Sequence, residues 1–437
     1  MIHDQIEALI QAQFPEQGAG IAVAVVKDAG LVHAHGYGYA NLEWQIPIGT
    51  DTVFRLGSIT KQFTATAIML LVSAGKLRLD DPLTTFLPDY PTAGHDVRVH
   101  HLLTHTSGIK SYTSMPGFFE HVARQDLSPA QLTAYFQDEP FEFAPGDKFT
   151  YNNSGYVLLG RIIEHLAGVS YADFIQQHIF APLGMRDSAY LSNEAIVPRR
   201  ASGYQRTPAG YRHAPFLSMT LPYAAGALGS TIDDLVRWDM ALREQQLLDR
   251  ATLERMVTPV TLNDGSTENY GLGWGLGTYY GHPIMHHGGG INGFRTYIAR
   301  FPEAGAAVML LGNCNEFEPE PLGRRISKLI LGIPVVQPTL IGLDAQGLAK
   351  LTGTYAADTG PCEVTWDGQH LKLAGPKTFT LLATSPTTFV AEEDDDVAIR
   401  FAGEADGQFT VLMIAFPFFT WTARRTNPRG VEPAARA

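Results

Sequence analysis

The chain has 437 residues, 45% hydrophobic and 17% charged, the make-up of a globular protein with room for one large domain and a small one. Its formal net charge is −12, five units of it in the run Glu392, Glu393, Asp394, Asp395, Asp396; that balance argues against nucleic acid as a partner. No apolar run reaches the roughly 18 residues a membrane-spanning helix needs, which argues against a membrane protein.

The chain opens on MIHDQIEALIQAQFP, where Ile6, Leu9, Ile10 and Phe14 follow helical spacing and no basic leader precedes an apolar core. A cytoplasmic protein is expected as the sequence stands, or a periplasmic or secreted one if a signal peptide has been removed. GIAVAVVKDAGLVHAHGYGYANLE then reads as two strands around a KDAG turn, and RTYIARFPEAGAAVMLLGN repeats the pattern around PEAG. Between them the chain is mostly helical: Ile59 to Val72 with a stop at Gly75, QLTAYF, SGYVLLGRIIEHLAG with a stop at Gly168, and STIDDLVRWDMALREQQ capped by Ser230 or Thr231. Strands from both ends with helices inserted between them predict an α/β domain over residues 1–335, an antiparallel sheet flanked by helices with a mostly helical subdomain. A helix at GRRISKLILG leads into the proline-containing linker IPVVQPT. Over 343–427 the strand-like runs VTWDG, HLKLAG, TFTLLA, TTFVAE, VAIRFAG, QFTVLMIAF and FTWTARR predict a small antiparallel β-barrel. The acidic run reads as a solvated loop rather than a calcium site. The two cysteines, Cys314 and Cys362, read as reduced structural thiols.

One residue is out of place. The helix from Ile59 is apolar on nearly every side, yet Lys61 stands in its first turn, where a cation opposes the macrodipole by about 0.3–1 kcal/mol and a buried ammonium costs far more. Ser58 lies three positions earlier, on the same face. A lysine made neutral by burial can take the proton of a serine hydroxyl and turn it into a nucleophile. The pattern S-x-x-K alone is weak, because Ser73/Lys76 and Ser107/Lys110 repeat it. Two further stretches accompany it. Tyr151 and Asn153 form Y-x-N in a loop before a helix, with Asn153/Ser154 also readable as a helix cap. PIMHHGGGINGF reads as a strand ending in two histidines and three glycines, with open backbone N–H groups such as an oxyanion site needs, or as a tight turn. No G-x-S-x-G and no H-E-x-x-H occurs, and the cluster His100, His101, His105 reads as structural rather than metal-binding.

In order, Ser58-x-x-Lys61, Tyr151-x-Asn153 and His287-x-Gly289 resemble the three motifs of the serine β-lactamase/penicillin-binding-protein superfamily, in its class C-like serine hydrolase branch. HLLTHTSGI, APGDKFTYNNSGYVLLG, PLGM, GLGWGLG and HHGGGINGF are similar to family segments, so the likeness runs over most of residues 15–332. It implies a β-lactamase/transpeptidase-like fold. It also implies that Ser58 is acylated and that Lys61 and Tyr151 share the proton work, either as a neutral lysine or as a phenolate beside an ammonium. Asn153 would bond the substrate amide or Lys61, the N–H groups of Ser58 and Gly290 would form the oxyanion hole, and His287, Gly289 and Tyr112 would complete the substrate site. Neither a metal nor an organic cofactor is implied. His286-x-Gly288 fits the third motif as well; His287 is chosen because Gly-Gly-x-x-Gly-Phe then follows.

Dedicated β-lactamases and transpeptidases usually begin that motif with lysine, and a histidine is similar instead to the esterase and D-aminopeptidase branches, whose lipocalin-like appended domains the C-terminal barrel resembles. The expected function is therefore a serine hydrolase acting on a small ester, amide or D-amino-acid peptide. The alternatives are a D-Ala-D-Ala carboxypeptidase or β-lactamase, and an inactive penicillin-recognising or scaffold protein. The expected partner is a small molecule or short peptide, with a homo-oligomer allowed.

Overall fold

A computed structural model describes residues 2–12, 14, 17–334, 339–357, 360–375 and 377–426. The chain divides into two compact units, Met1–Ile333 and Pro334–Ala437. The linker expected at IPVVQPT falls in part, at 335–338, outside the described residues.

In the first unit, helix α1 (Ile2–Gln11) precedes strands β1 (Ile21–Lys27) and β2 (Gly30–Tyr37), paired antiparallel as expected around the KDAG turn. Helix α2 (Thr60–Ser73) follows a single 3₁₀ turn, Gly57–Ile59. It is buried from Thr60 through Met69, and Gly75 at φ +68° ends it. Helix α3 (Asn153–Ala167) stops at Gly168 in the left-handed region, and α4 (Ile232–Arg243) is capped by Thr231, whose hydroxyl accepts from the Asp234 N–H. Strands β3 (Gly275–Tyr279), β4 (His282–Ile291), β5 (Phe294–Phe301) and β6 (Ala306–Gly312) then close one antiparallel sheet in the order β3-β4-β5-β6-β1-β2. The first hairpin thus pairs with the last, through Ile21↔Gly312 to Val26↔Ala307.

Both faces of that sheet are covered, so β1 is buried at every position from Ile21 to Val26 rather than alternating. Ala22, Ala24, Met309 and Leu311 face the main core with Leu235 and Trp238 of α4. On the other face α5 (Pro319–Leu331) packs so closely that a Cβ on its Gly323 would stand 2.6 Å from Tyr297 and 2.9 Å from Leu310. Arg300 of β5 is buried against α4, with its Nε donating to Asp239 Oδ1 at 2.6 Å. Among the described residues no helix is long and apolar enough to cross a membrane.

The second unit is a closed eight-stranded barrel, β7 (Gly353–Ala357), β8 (Gly360–Trp366), β9 (Leu371–Ala374), β10 (Phe379–Ala383), β11 (Thr388–Ala391), β12 (Ala398–Ala405), β13 (Gln408–Ala415) and β14 (Thr420–Arg425). Alternation fills its interior, with Ile399 and Phe401 inside and Arg400 outside. It closes where β7 pairs with β14, and there Arg425 donates to the Tyr355 hydroxyl at 2.8 Å and to the Lys350 carbonyl at 2.9 Å.

Two expectations need correction. The strand-like runs omit β7 and the helix Ala345–Leu351 before it, because GTYAA is short and carries one large side chain. The glycine run closes a strand as expected and is not the turn: β4 continues through Gly288, Gly289 and Gly290, which pair with Tyr297, Thr296 and Arg295, to its last residue Ile291, and the turn comes at Asn292–Gly293. The acidic run is only partly solvated, since Asp394 is buried and the Glu393 carboxylate accepts from the Thr380 N–H at 2.9 Å and its hydroxyl at 2.7 Å. Cys314 and Cys362 are free, buried and in different units.

Candidate active site

The Gly57–Ile59 turn carries Ser58 to the wall of a cleft of about 320 Å³, where Tyr112, Phe118, Asn153, Gly290 and Arg295 also line the space. Ser58 does not cap α2 with its side chain. Lys61, one turn on, is fully buried. Its Nζ lies 3.1 Å from Ser58 Oγ, 2.9 Å from Asn153 Oδ1 and 3.0 Å from the Ala225 carbonyl. Burial pushes the Lys61 amine well below its ordinary value of 10.5. A neutral amine matches this environment atom for atom: two N–H groups for the two carbonyl oxygens, and one lone pair for the serine O–H.

Asn153 is the first helical residue of α3. The cap is Asn152, whose Oδ1 accepts from the Gly155 N–H at 2.9 Å, so the capping expected of Asn153/Ser154 belongs one residue earlier. That frees Asn153 for the cleft. Its Nδ2 donates to Thr113 Oγ1 at 3.0 Å, which turns its carbonyl oxygen to Lys61. Ser154 bonds the Tyr112 N–H at 2.9 Å and the Lys110 carbonyl at 2.8 Å, and Tyr112 donates its hydroxyl to the Leu221 carbonyl at 2.8 Å. Tyr151 keeps 37% of its surface, and its ring lies 4.7 Å from Lys61 Nζ. Burial raises the pKa of the Tyr151 hydroxyl above its ordinary value, against a weaker opposing pull from Ser58. The environment thus works against charge on both groups.

The third motif lies on β4. Period two puts His286 and His287 on opposite faces; His287 sits 6.1 Å from the Tyr151 ring and His286 6.2 Å from the Tyr297 ring, on the side of α5. A Cβ on Gly289 would stand 2.1 Å from the Leu56 carbonyl oxygen and 2.1 Å from Thr296 Oγ1, so only glycine lets this strand meet the turn before Ser58. Gly57, at φ +55°, faces the Gly290 nitrogen: a Cβ there would lie 3.0 Å from it. Thr296 Oγ1 donates to the Leu56 carbonyl at 2.8 Å and holds the two segments together.

His287 does not reach the cleft wall. It is 7% exposed, with both ring nitrogens engaged: Nε2 at 3.0 Å from the Tyr270 hydroxyl, Nδ1 at 2.7 Å from the Gly288 carbonyl. Desolvation, then the nearby Lys61, lowers its pKa to about 3. Tyr270 links it to His105, whose Nε2 is 3.2 Å away and whose Nδ1 accepts from the Asn152 N–H at 3.0 Å. Because that backbone N–H can only donate, the chain runs one way, from His105 Nε2–H to Tyr270 and from Tyr270 O–H to His287 Nε2, leaving the His287 Nδ1–H for the Gly288 carbonyl. His105 sits at φ +61° with its ring 4.3 Å from that of Tyr151. The His100 and His101 rings lie 4.1 Å apart, tilted by 57°, and bond Leu79 and Arg98 instead, so the three histidines do not converge.

Of the residues expected at the site, Ser58, Tyr112, Asn153 and Gly290 line the cleft, while Lys61 and His287 lie behind it. Sequence reasoning missed Thr113, Tyr270, Arg295 and the Ala225 carbonyl. A backbone oxygen carries no signal in a sequence, and Tyr270 becomes visible only once β4 and the His105 turn are side by side.

A profile of the Beta-lactamase family matches residues 7–331. The chain is 30% identical over 398 residues to penicillin-binding protein 4* of Bacillus subtilis (strain 168), covering 84% of this chain and 86% of that one. It is 29% identical over 338 residues to a D-aminopeptidase of Gluconobacter oxydans (strain 621H), covering 74% of this chain and 61% of the relative, so it spans less than two thirds of that protein. Among solved structures it resembles the octameric penicillin-binding protein homologue from Pyrococcus abyssi, with TM-score 0.69, 28% identity, and 96% and 99% of the two chains covered. It also resembles the D-amino acid amidase from Ochrobactrum anthropi SV3 complexed with D-phenylalanine, with TM-score 0.66, 29% identity, and 76% and 99% covered. With a match spanning the whole sheet and all three motifs, the chain belongs to the beta-lactamase family.

Proposed function

We propose that the protein is a serine hydrolase that forms an acyl-Ser58 intermediate on a small ester, amide or D-amino-acid peptide. The observation that carries this reading is Lys61 Nζ, dry and 3.1 Å from Ser58 Oγ with two carbonyl oxygens fixing its other contacts. In this reading Lys61 is the general base. Its lone pair takes the Ser58 proton as Oγ attacks the carbonyl carbon, and the N–H groups of Ser58 and Gly290 hold the oxyanion. Tyr151, a neutral phenol at Ser58, protonates the leaving group and is reprotonated from Lys61; water then hydrolyses the ester by the same path in reverse. Asn153 orients Lys61 and offers the substrate its amide edge.

A D-aminopeptidase and a D-amino acid amidase among the relatives favour amides of D-amino acids. The likeness to penicillin-binding protein 4* supports a second reading, a D-Ala-D-Ala carboxypeptidase or β-lactamase. Against it stands His287, neutral where dedicated β-lactamases carry a lysine. Initial rates of wild type and Ser58→Ala on a short-chain p-nitrophenyl ester, a D-alanine p-nitroanilide and a cephalosporin decide between them. Ser58-dependent turnover of the ester or anilide supports the first reading, and of the cephalosporin the second. Exclusion of an active-serine probe from Ser58 would point to an inactive scaffold. Residues 1–335 and 343–427 are read as two domains, and the octameric homologue makes a homo-oligomer the expectation, which light scattering of the full chain tests.

A further inference from the structure

Beside the catalytic cleft lies a second cavity of about 370 Å³, lined by Arg55, Arg200, Ser202, His213 and Phe294, and sharing Leu217 and Asn292 with the first. Arg55 is three residues before Ser58, on the short strand Phe54–Arg55, where its backbone pairs with Gly229. Its guanidinium is half-buried, 5.7 Å over the Phe294 ring, and among the described residues it meets no carboxylate and donates no hydrogen bond to protein. The charge that acts on it is another cation, Arg200 of the same cavity wall, which donates one N–H to the Ser192 carbonyl at 3.0 Å and is otherwise exposed. Desolvation and Arg200 together pull the Arg55 pKa down to about 10.

Acids close by in the chain are committed elsewhere. Asp51 and Asp187 pair with Arg199 at 3.1 and 2.5 Å, and Glu43 is held by His213 and by the Tyr204 hydroxyl. Two guanidinium groups facing one cavity, one of them half-buried with its donors unused, are an unfavourable arrangement in a protein of net charge −12 unless an anion completes it. The guanidinium fork suits a carboxylate or phosphate, and the shared wall of Leu217 and Asn292 lets one molecule occupy both spaces.

We propose that the Arg55–Arg200 cavity is an oxyanion-binding subsite, which selects substrates whose end remote from the reacting carbonyl carries a carboxylate or phosphate. The subsite deepens the hydrolase reading and rests on it for the word substrate; its affinity for anions does not.

The test therefore begins with binding. Calorimetric titration of glutarate, and separately of inorganic phosphate, into the Ser58→Ala protein reads the cavity without catalysis. Binding of glutarate that Arg200→Glu weakens about tenfold or more, the loss of one charge-assisted contact, is the expected result; phosphate behaving alike marks a general oxyanion site, phosphate failing to bind marks one for carboxylates. Absence of binding overturns the proposal, as does binding unchanged by both Arg200→Glu and Arg55→Lys. Binding lost instead in Arg295→Ala would place the anion in the cleft and overturn it too. Paired p-nitrophenyl esters of equal length, one ending in a carboxylate and one in its methyl ester, then read selectivity: wild type favours the carboxylate, and the ratio of kcat/KM values collapses in Arg200→Glu and at high salt. Without Ser58-dependent turnover of either ester the hydrolase reading fails, while the titration still decides the subsite.

Discussion

Ser58/Lys61 and Ser107/Lys110 are the same four-residue pattern, forty-nine positions apart, and the fold makes opposite things of them. Lys110 reaches the surface, where its Nζ meets Glu142 Oε1 at 2.7 Å; Ser107 is buried and its Oγ accepts from the Ile109 N–H at 3.3 Å. Lys61 meets only neutral oxygens in a dry pocket, with the serine hydroxyl as its third neighbour. The spacing brings a lysine near a serine in either case. What surrounds the lysine decides its use: Lys110 has a carboxylate partner at the surface, whereas burial among neutral oxygens favours the amine form of Lys61.

The comparison breaks most sharply on the serines. Ser58→Ala is expected to cost about a thousandfold or more in kcat/KM and Ser107→Ala less than about threefold, measured on whichever substrate wild type turns over. Lys61→Met comes next, with a loss of about a hundredfold or more in kcat. It also reports the titration. Because the folded pKa of Lys61 lies below its ordinary value, the unfolded chain binds the extra proton between the two values, so wild-type stability rises with pH across that window and ends its gain near 10.5. The melting temperature of wild type should accordingly rise relative to Lys61→Met from neutral pH toward 10.5, and parallel curves would show an unshifted lysine. Thr113→Val sharpens the orientation of Asn153: a lost hydrogen bond of about 1 kcal/mol predicts about a fivefold fall in kcat with a smaller change in KM. His287, with its pKa near 3, should leave no inflection near 6.5 in the pH–rate profile, whereas a charged histidine would. Smallest of all is Lys110→Ala, whose partly exposed ion pair is worth at most about 1 kcal/mol by denaturant unfolding and nothing in turnover.

Much of this was legible before any coordinates. Lys61 stood out because an apolar helix has no reason to begin with a cation, and both hairpins showed because two apolar runs flanked a turn made of an acidic residue followed by Ala and Gly. The cap of α3 was misplaced by one residue because Asn152, Asn153 and Ser154 are all good caps, and only the backbone at Asn152, extended at ψ 118°, selects among them. Three glycines in a row read either as the end of a strand or as a tight turn, and local preference alone does not choose. They are strand residues because β4 must pass within 2.1 Å of where a side chain would meet Leu56, a contact between positions more than two hundred residues apart. His105 showed no role in sequence for the same reason, since Tyr270 and Asn152 approach it only in the fold.

The central claim is that Ser58, and not either of its sequence twins, carries the acyl group. Intact-protein and peptide mass spectrometry on samples acid-quenched during turnover of a p-nitrophenyl ester tests it directly. The account predicts a mass increment equal to the acyl group on the peptide that contains Ser58, absent in Ser58→Ala. Turnover with the increment on the Ser107 peptide, or on any residue other than Ser58, would contradict it.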